Sequence, residues 1–154
     1  MSAAIFGLLG VIVGAFLNSL LGWQLERRRD RIALKAAARL LDSELKAARV
    51  AALSALREHE WRLLRPEGRV PSIASWPVYR QLFAAQMNYE DFAVVARGVA
   101  GWEQVLGVAS EEDRSTIGSR VVVQYFLEEQ VDVAVKHLGR YLGLEERPSR
   151  ATTA

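Results

Sequence analysis

The stretch that decides the fold is Ala3–Trp23, AAIFGLLGVIVGAFLNSLLGW, with the segment Gln24–Arg65 that follows it, QLERRRDRIALKAAARLLDSELKAARVAALSALREHEWRLLR. The first stretch holds 21 residues and no charge. As a helix rising about 1.5 Å per residue it covers roughly 31 Å, the thickness of a bilayer's hydrocarbon core. Buried helices of globular cores rarely stay uncharged that long. A cleaved signal peptide would carry basic residues ahead of its apolar run, and none stand there. The reading is a retained transmembrane helix, and residues 1–23 form the membrane anchor.

Charge orients it. Arg27, Arg28, Arg29, Arg31 and Lys35 follow the span and no Lys or Arg precedes it. Basic residues stay on the cytoplasmic side, so the N-terminus is expected outside and the C-terminal body inside the cytoplasmic membrane. Trp23 stands where an interfacial aromatic belongs, and with Arg27, Arg28, Arg29 and Arg31 makes up the expected membrane interface. Ala3, Gly7, Gly10, Gly14, Asn18 and Gly22 recur every three or four residues on one helical face, and Gly10 and Gly14 make a GxxxG. Gly7, Gly10, Gly14 and Asn18 are therefore the expected packing face toward another membrane helix.

From Gln24 to Arg65 there is neither Gly nor Pro. Strong helix formers dominate, so the span is expected to continue into a long cytoplasmic helix, with Gly22 the one place for a kink. Its apolar seam is Leu34, Ala38, Leu41, Leu45, Ala48, Ala52 and Ala55, then His59, at alternating steps of four and three. A second apolar face, Ala37, Leu40, Ala47, Ala51, Leu53 and Leu56, widens the stripe beyond a bare coiled coil. After a loop around Pro66 and Pro71, Ser75 is set to cap a helix over 76–87. Asn88, with Asp91 three residues on, opens a helix running to Leu106 and stopped by Gly107. Its face is Phe92, Val95, Ala96, Val99, Trp102 and Leu106, and Gly98 and Gly101 allow close helix contact. Ser110–Asp113 signals a fourth helix to Leu142, ended by Gly143, with Ile117, Val121, Tyr125, Val131, Val135, Leu138 and Leu142 inside. The fold class is all-α: an N-terminal transmembrane helix, continuous with a long cytoplasmic helix, packed with three further helices as a small bundle. Residues 24–144 form that bundle and 145–154 a disordered polar tail.

Composition excludes several chemistries. The chain of 154 residues has no cysteine and two histidines, so disulfides, cysteine zinc sites and thiol catalysis are out. Its net charge of +2 is uneven: residues 24–39 carry +4 and everything after them −2, leaving no basic stripe for a nucleic-acid backbone. His59 and His137 fit no HExxH and no Glu-x-x-His motif. Glu128, Glu129, Asp132 and His137 are read as solvated helix faces, not as partners of Glu44 or Glu58 in a metal site. Trp61, Trp76, Tyr79, Trp102 and Tyr125 are read as core aromatics rather than a ligand box. No enzyme activity and no cofactor are expected.

The layout resembles two families. A span followed by a long charged helix is similar to the bacterial ATP synthase b subunit, from which the chain departs at Pro66 and Pro71 and in its Trp-rich short helices. Over the first 110 or so residues it more closely resembles uncharacterised small membrane-anchored proteins of high-GC bacteria, through Trp23-x-x-x-Arg27-Arg-Arg, Ala36-Ala-Ala-Arg-Leu-Leu41 and Trp76-x-x-Tyr79. That resemblance implies a single-pass anchored helical domain and no particular activity. The expected function is an interaction or scaffold module at the inner face of the membrane. Its partners are the lipid bilayer, a second copy or another membrane helix, and a cytoplasmic protein. A pore-forming or holin-like oligomer stays open as the alternative.

Overall fold

The computed structural model describes residues 2–58, 64, 70–110 and 116–143, with the side chains of 2–12 and 116–119 outside the description. Every regular element among the described residues is helical. Helix α1 spans Ser2–Glu58, α2 Ser75–Gln86 and α3 Tyr89–Ser110. Then come α4, Thr116–Tyr125, a π-helical turn over Phe126–Val131, and α5, Asp132–Leu142. The chain divides into a unit Met1–Ala33 and a unit Leu34–Ala154. Helix α1 is unbroken at Gly22. Among the described residues no helix is long and apolar enough to cross a membrane. The stretch 3–23 owes half of its apolar character to residues whose side chains lie outside the description.

The second unit is a helical bundle around one core. Helix α1 buries Leu34, Ala37, Ala38, Leu41, Leu45, Ala48, Ala52 and Ala55, which is the seam expected from the four-three spacing with Ala37 added. The wider face divides: Ala51, Leu53 and Leu56 pack at the core's edge, whereas Leu40 and Ala47 are exposed. His59 and Trp61 lie outside the described residues.

Helix α2 begins differently from the sequence expectation. Its N-cap is Ala74, without a side-chain cap, and Ser75 is the first helical residue. The Glu44 carboxylate on α1 takes its place. It accepts the Ser75 backbone N–H at 3.1–3.2 Å and the Ser75 hydroxyl at 2.5 Å. A carboxylate at a helix N-terminus satisfies unpaired N–H groups and faces the positive end of the helix dipole.

Helix α3 passes Gly107 and ends at Ser110. It packs on α4, the π turn and α5. Gly98 and Gly101 make that approach possible: a Cβ at Gly98 would stand 2.6 Å from the Ala134 Cβ, and one at Gly101 would overlap the Gln130 side chain. Trp102 is buried, donates its indole N–H to the Pro71 carbonyl at 3.0 Å, and meets Phe126 at 5.6 Å between ring centroids. Trp76 stacks on Phe83 and Phe92 at 5.9 and 5.7 Å.

The last helix corrects the sequence reading most. Val121 and Tyr125 are exposed, and the buried residues are Val123, Phe126, Leu127, Gln130, Val131, Ala134 and Leu138. On an uninterrupted α-helix Phe126 would stand about 140° around the axis from Val131. The π turn, with its wider i→i+5 closure, brings both onto the buried side. From Val131 onward the spacing holds: Val131 and Leu138 are buried and Val135 and Leu142 pack at the edge. Gly143 closes α5 in the left-handed conformation, φ 72°. The acidic cap at 111–113, the Ile117 side chain and the tail 145–154 lie outside the described residues.

Candidate functional site

The most elaborate polar cluster in the bundle is built on Asp91, in the first turn of α3. It sits on the same helical stripe as Val95, Val99 and Trp102, and its side chain is 3% exposed. A carboxylate on a buried stripe must be paired. Asn88, one residue ahead of α3, accepts the Asp91 backbone N–H at 2.7 Å and donates its side-chain amide to Asp91 Oδ2 at 2.7 Å. Three residues at the end of α5 supply the rest. Tyr141 donates its hydroxyl to Oδ2 at 2.8 Å, Arg140 Nη1 reaches Oδ1 at 2.8 Å, and His137 Nδ1 also bonds Oδ1. The Tyr141 oxygen in turn accepts the Asn88 backbone N–H at 3.3 Å.

Burial pushes the Asp91 carboxyl upward. The hydrogen bonds from Tyr141, His137 and Asn88 and the charge of Arg140 outweigh it and hold the group below the ordinary aspartate range. Burial and the bond given to Asp91 raise the Tyr141 phenol. Four side-chain donors fill the roughly four acceptor positions of a carboxylate. Asp91 thus has no lone pair left for a substrate, and the chemistry of the cluster is that of a clamp between the start of α3 and the end of α5.

Three of the other carboxylates singled out in the sequence are engaged separately. Glu44 caps α2, Glu128 accepts the Gln124 amide at 2.8 Å, and Asp132 pairs with Arg49 Nε at 2.8 Å. His137 bonds Asp91 and does not stand alone. Among the described residues no group of three or more His, Asp or Glu side chains is arranged for a metal ion. Among the described residues the aromatics form no common box, since Trp102 and Trp76 have different partners and Tyr125 is exposed. A recess of about 480 Å³ opens beside Leu64, Pro71, Leu106 and Ser110, with no charged side chain among its described lining.

The residues expected at a membrane lie in the first unit. The side chain of Trp23 is exposed, and the Arg27 guanidinium carbon stands 3.7 Å from the centre of its ring. Arg28, Arg29 and Arg31 are exposed, as is Asn18. A Cβ added at Gly14 or at Gly22 would meet nothing within 4 Å. Gly7 and Gly10 fall among residues whose side chains are outside the description.

Sequence reasoning missed the Asp91 clamp. Asp91 was legible only as a partner of the Asn88 cap, and Arg140 and Tyr141 gave no signal of their own. What marks the clamp is an acidic residue on an apolar stripe, Asp91-x₃-Val95-x₃-Val99. No protein-family model, curated protein or solved structure matches the chain.

Proposed function

We propose that the chain is a single-pass, membrane-anchored helical protein whose body serves as an interaction or scaffold module at the inner face of the cytoplasmic membrane. The observation that carries this reading is the pairing of Arg27 with Trp23 at the end of the uncharged stretch 3–23. An amphipathic indole capped by a guanidinium suits the headgroup layer, where a cation–π contact adds about 0.5–1 kcal/mol. The arginines beyond it, each contributing about 1 kcal/mol against an anionic leaflet, assign that side to the cytoplasm. The stripe of Gly7, Gly10, Gly14 and Asn18 is the face offered to a second membrane helix.

The body supports the scaffold reading by what its polar groups do. Its most buried carboxylate, Asp91, accepts four side-chain donors, Asp42 pairs with Lys46, and Glu44, Glu128 and Asp132 are engaged by Ser75, Gln124 and Arg49. A reporter enzyme active only after export, fused after Ala154, is expected to stay silent, while a reporter active only in the cytoplasm is expected to work. The reverse pattern would overturn the orientation.

A further inference from the structure

His137 is joined to Asp91 through one ring nitrogen. Its Nδ1 bonds Asp91 Oδ1, and Arg140 Nη1 shares that oxygen and stands 3.4 Å from Nδ1. Two acceptors cannot bond without a proton between them. Asp91 is held below the ordinary aspartate range, so the proton sits on Nδ1. A neutral imidazole protonated there carries its lone pair on Nε2, across the ring. Among the described residues Nε2 has no hydrogen-bond partner, and it is not sealed from solvent. The side chain as a whole is 18% exposed, against 3% for Asp91. The carboxylate is therefore hidden and the lone pair of the ring it holds faces outward.

We propose that His137 Nε2 is a nucleophile that accepts a phosphoryl group from an activated donor, an acyl phosphate or a phosphoramidate. The Nε2 lone pair attacks phosphorus. The bond from phosphorus to the donor's oxygen or nitrogen breaks, and the carboxylate or ammonia leaves with that electron pair. The proton stays on Nδ1 and the ring becomes positive. Asp91 faces that charge as it forms, since a buried carboxylate on Nδ1 fixes the tautomer and stabilises an imidazolium. Asp91 is thus a positioning residue and needs no free lone pair to act. The open side of the ring favours an anionic electrophile over a neutral acyl group. Lys136 and Arg140 flank His137 on α5 and are exposed, and cations there suit a dianionic phosphoryl group. The site belongs to the second unit and does not depend on the anchoring reading.

The chain has two histidines, so His59 serves as an internal comparison. The purified full-length protein is treated with phosphoramidate, and the gain of a phosphoryl group is followed by intact mass in the parent, His59→Gln and His137→Asn. Asparagine at 137 keeps an N–H where Nδ1 stood, so the bond to Asp91 survives the loss of Nε2. The expected result is an acid-labile product in His59→Gln at nearly the parent's rate, and labelling several-fold slower in His137→Asn. Nuclear magnetic resonance of the labelled parent is expected to show the Nε2 isomer alone at His137, because Asp91 holds Nδ1. Asp91→Asn, shown to be folded by circular dichroism, is expected to slow labelling several-fold and to yield both ring isomers. Where that variant does not fold, the isomer formed on the parent decides. Equal rates at the two histidines would overturn the proposal. So would a mixture of isomers at His137 in the folded parent, or a folded Asp91→Asn chain labelled like the parent.

Discussion

At Asp91, three donors from α5 and one from Asn88 just ahead of α3 meet on one buried carboxylate, and the pH dependence of stability follows from that. Its folded pKa lies below the unfolded value of 3.8. The stabilisation is therefore complete above the unfolded pKa and is lost as pH falls through the lower folded value. Asp91→Asn removes the titrating group while keeping its shape. Urea titrations at neutral pH are expected to show a loss of about 1–3 kcal/mol, since donors set against a carboxylate now face an amide. Toward pH 3 the difference between variant and parent should shrink. A constant difference across that range would contradict the clamp. Only its local half was legible in the sequence. Asn88 and Asp91 are three residues apart and announce a cap, whereas His137, Arg140 and Tyr141 reach Asp91 through tertiary packing that no spacing along the chain encodes.

Among the elements, periodicity succeeded where the expected face kept one phase and failed where it changed phase. The seam from Leu34 to Ala55 could be read because α1 keeps one phase throughout. The last helix was misread because the expected face, Val121 and Tyr125 followed by Val131 and Val135, changes phase between Tyr125 and Val131, in the interval the π turn occupies. Six steps from Tyr125 to Val131 turn an α-helix by roughly 240° beyond a full circle, so the two do not share a face. Phe126, the first residue of the π turn, packs against Trp102. The prediction at this scale concerns that contact. Trp102→Ala removes a fully buried side chain, its bond to Pro71 and its packing on Phe126. In the fragment 34–144, which keeps the whole described core, it should cost on the order of 3–5 kcal/mol by denaturant titration. A fragment that melts like its parent would show that these helices do not share one core.

For the whole molecule, the helical class and the bundle were legible, because propensity and apolar spacing agree over most of the chain. Function was less so: Asp91 and Glu44 are bonded within the chain, and the sequence signals lie in the first unit. The proposed anchor rests on an argument that needs no tertiary detail, an uncharged stretch of 21 residues bordered by Trp23 and four arginines. The direct test is alkaline carbonate extraction of membranes from cells producing the full chain. Spanning helices stay in the pellet under that wash and proteins held at the surface by charge are released. The full chain is expected in the pellet. Its recovery in the supernatant would contradict the membrane anchor.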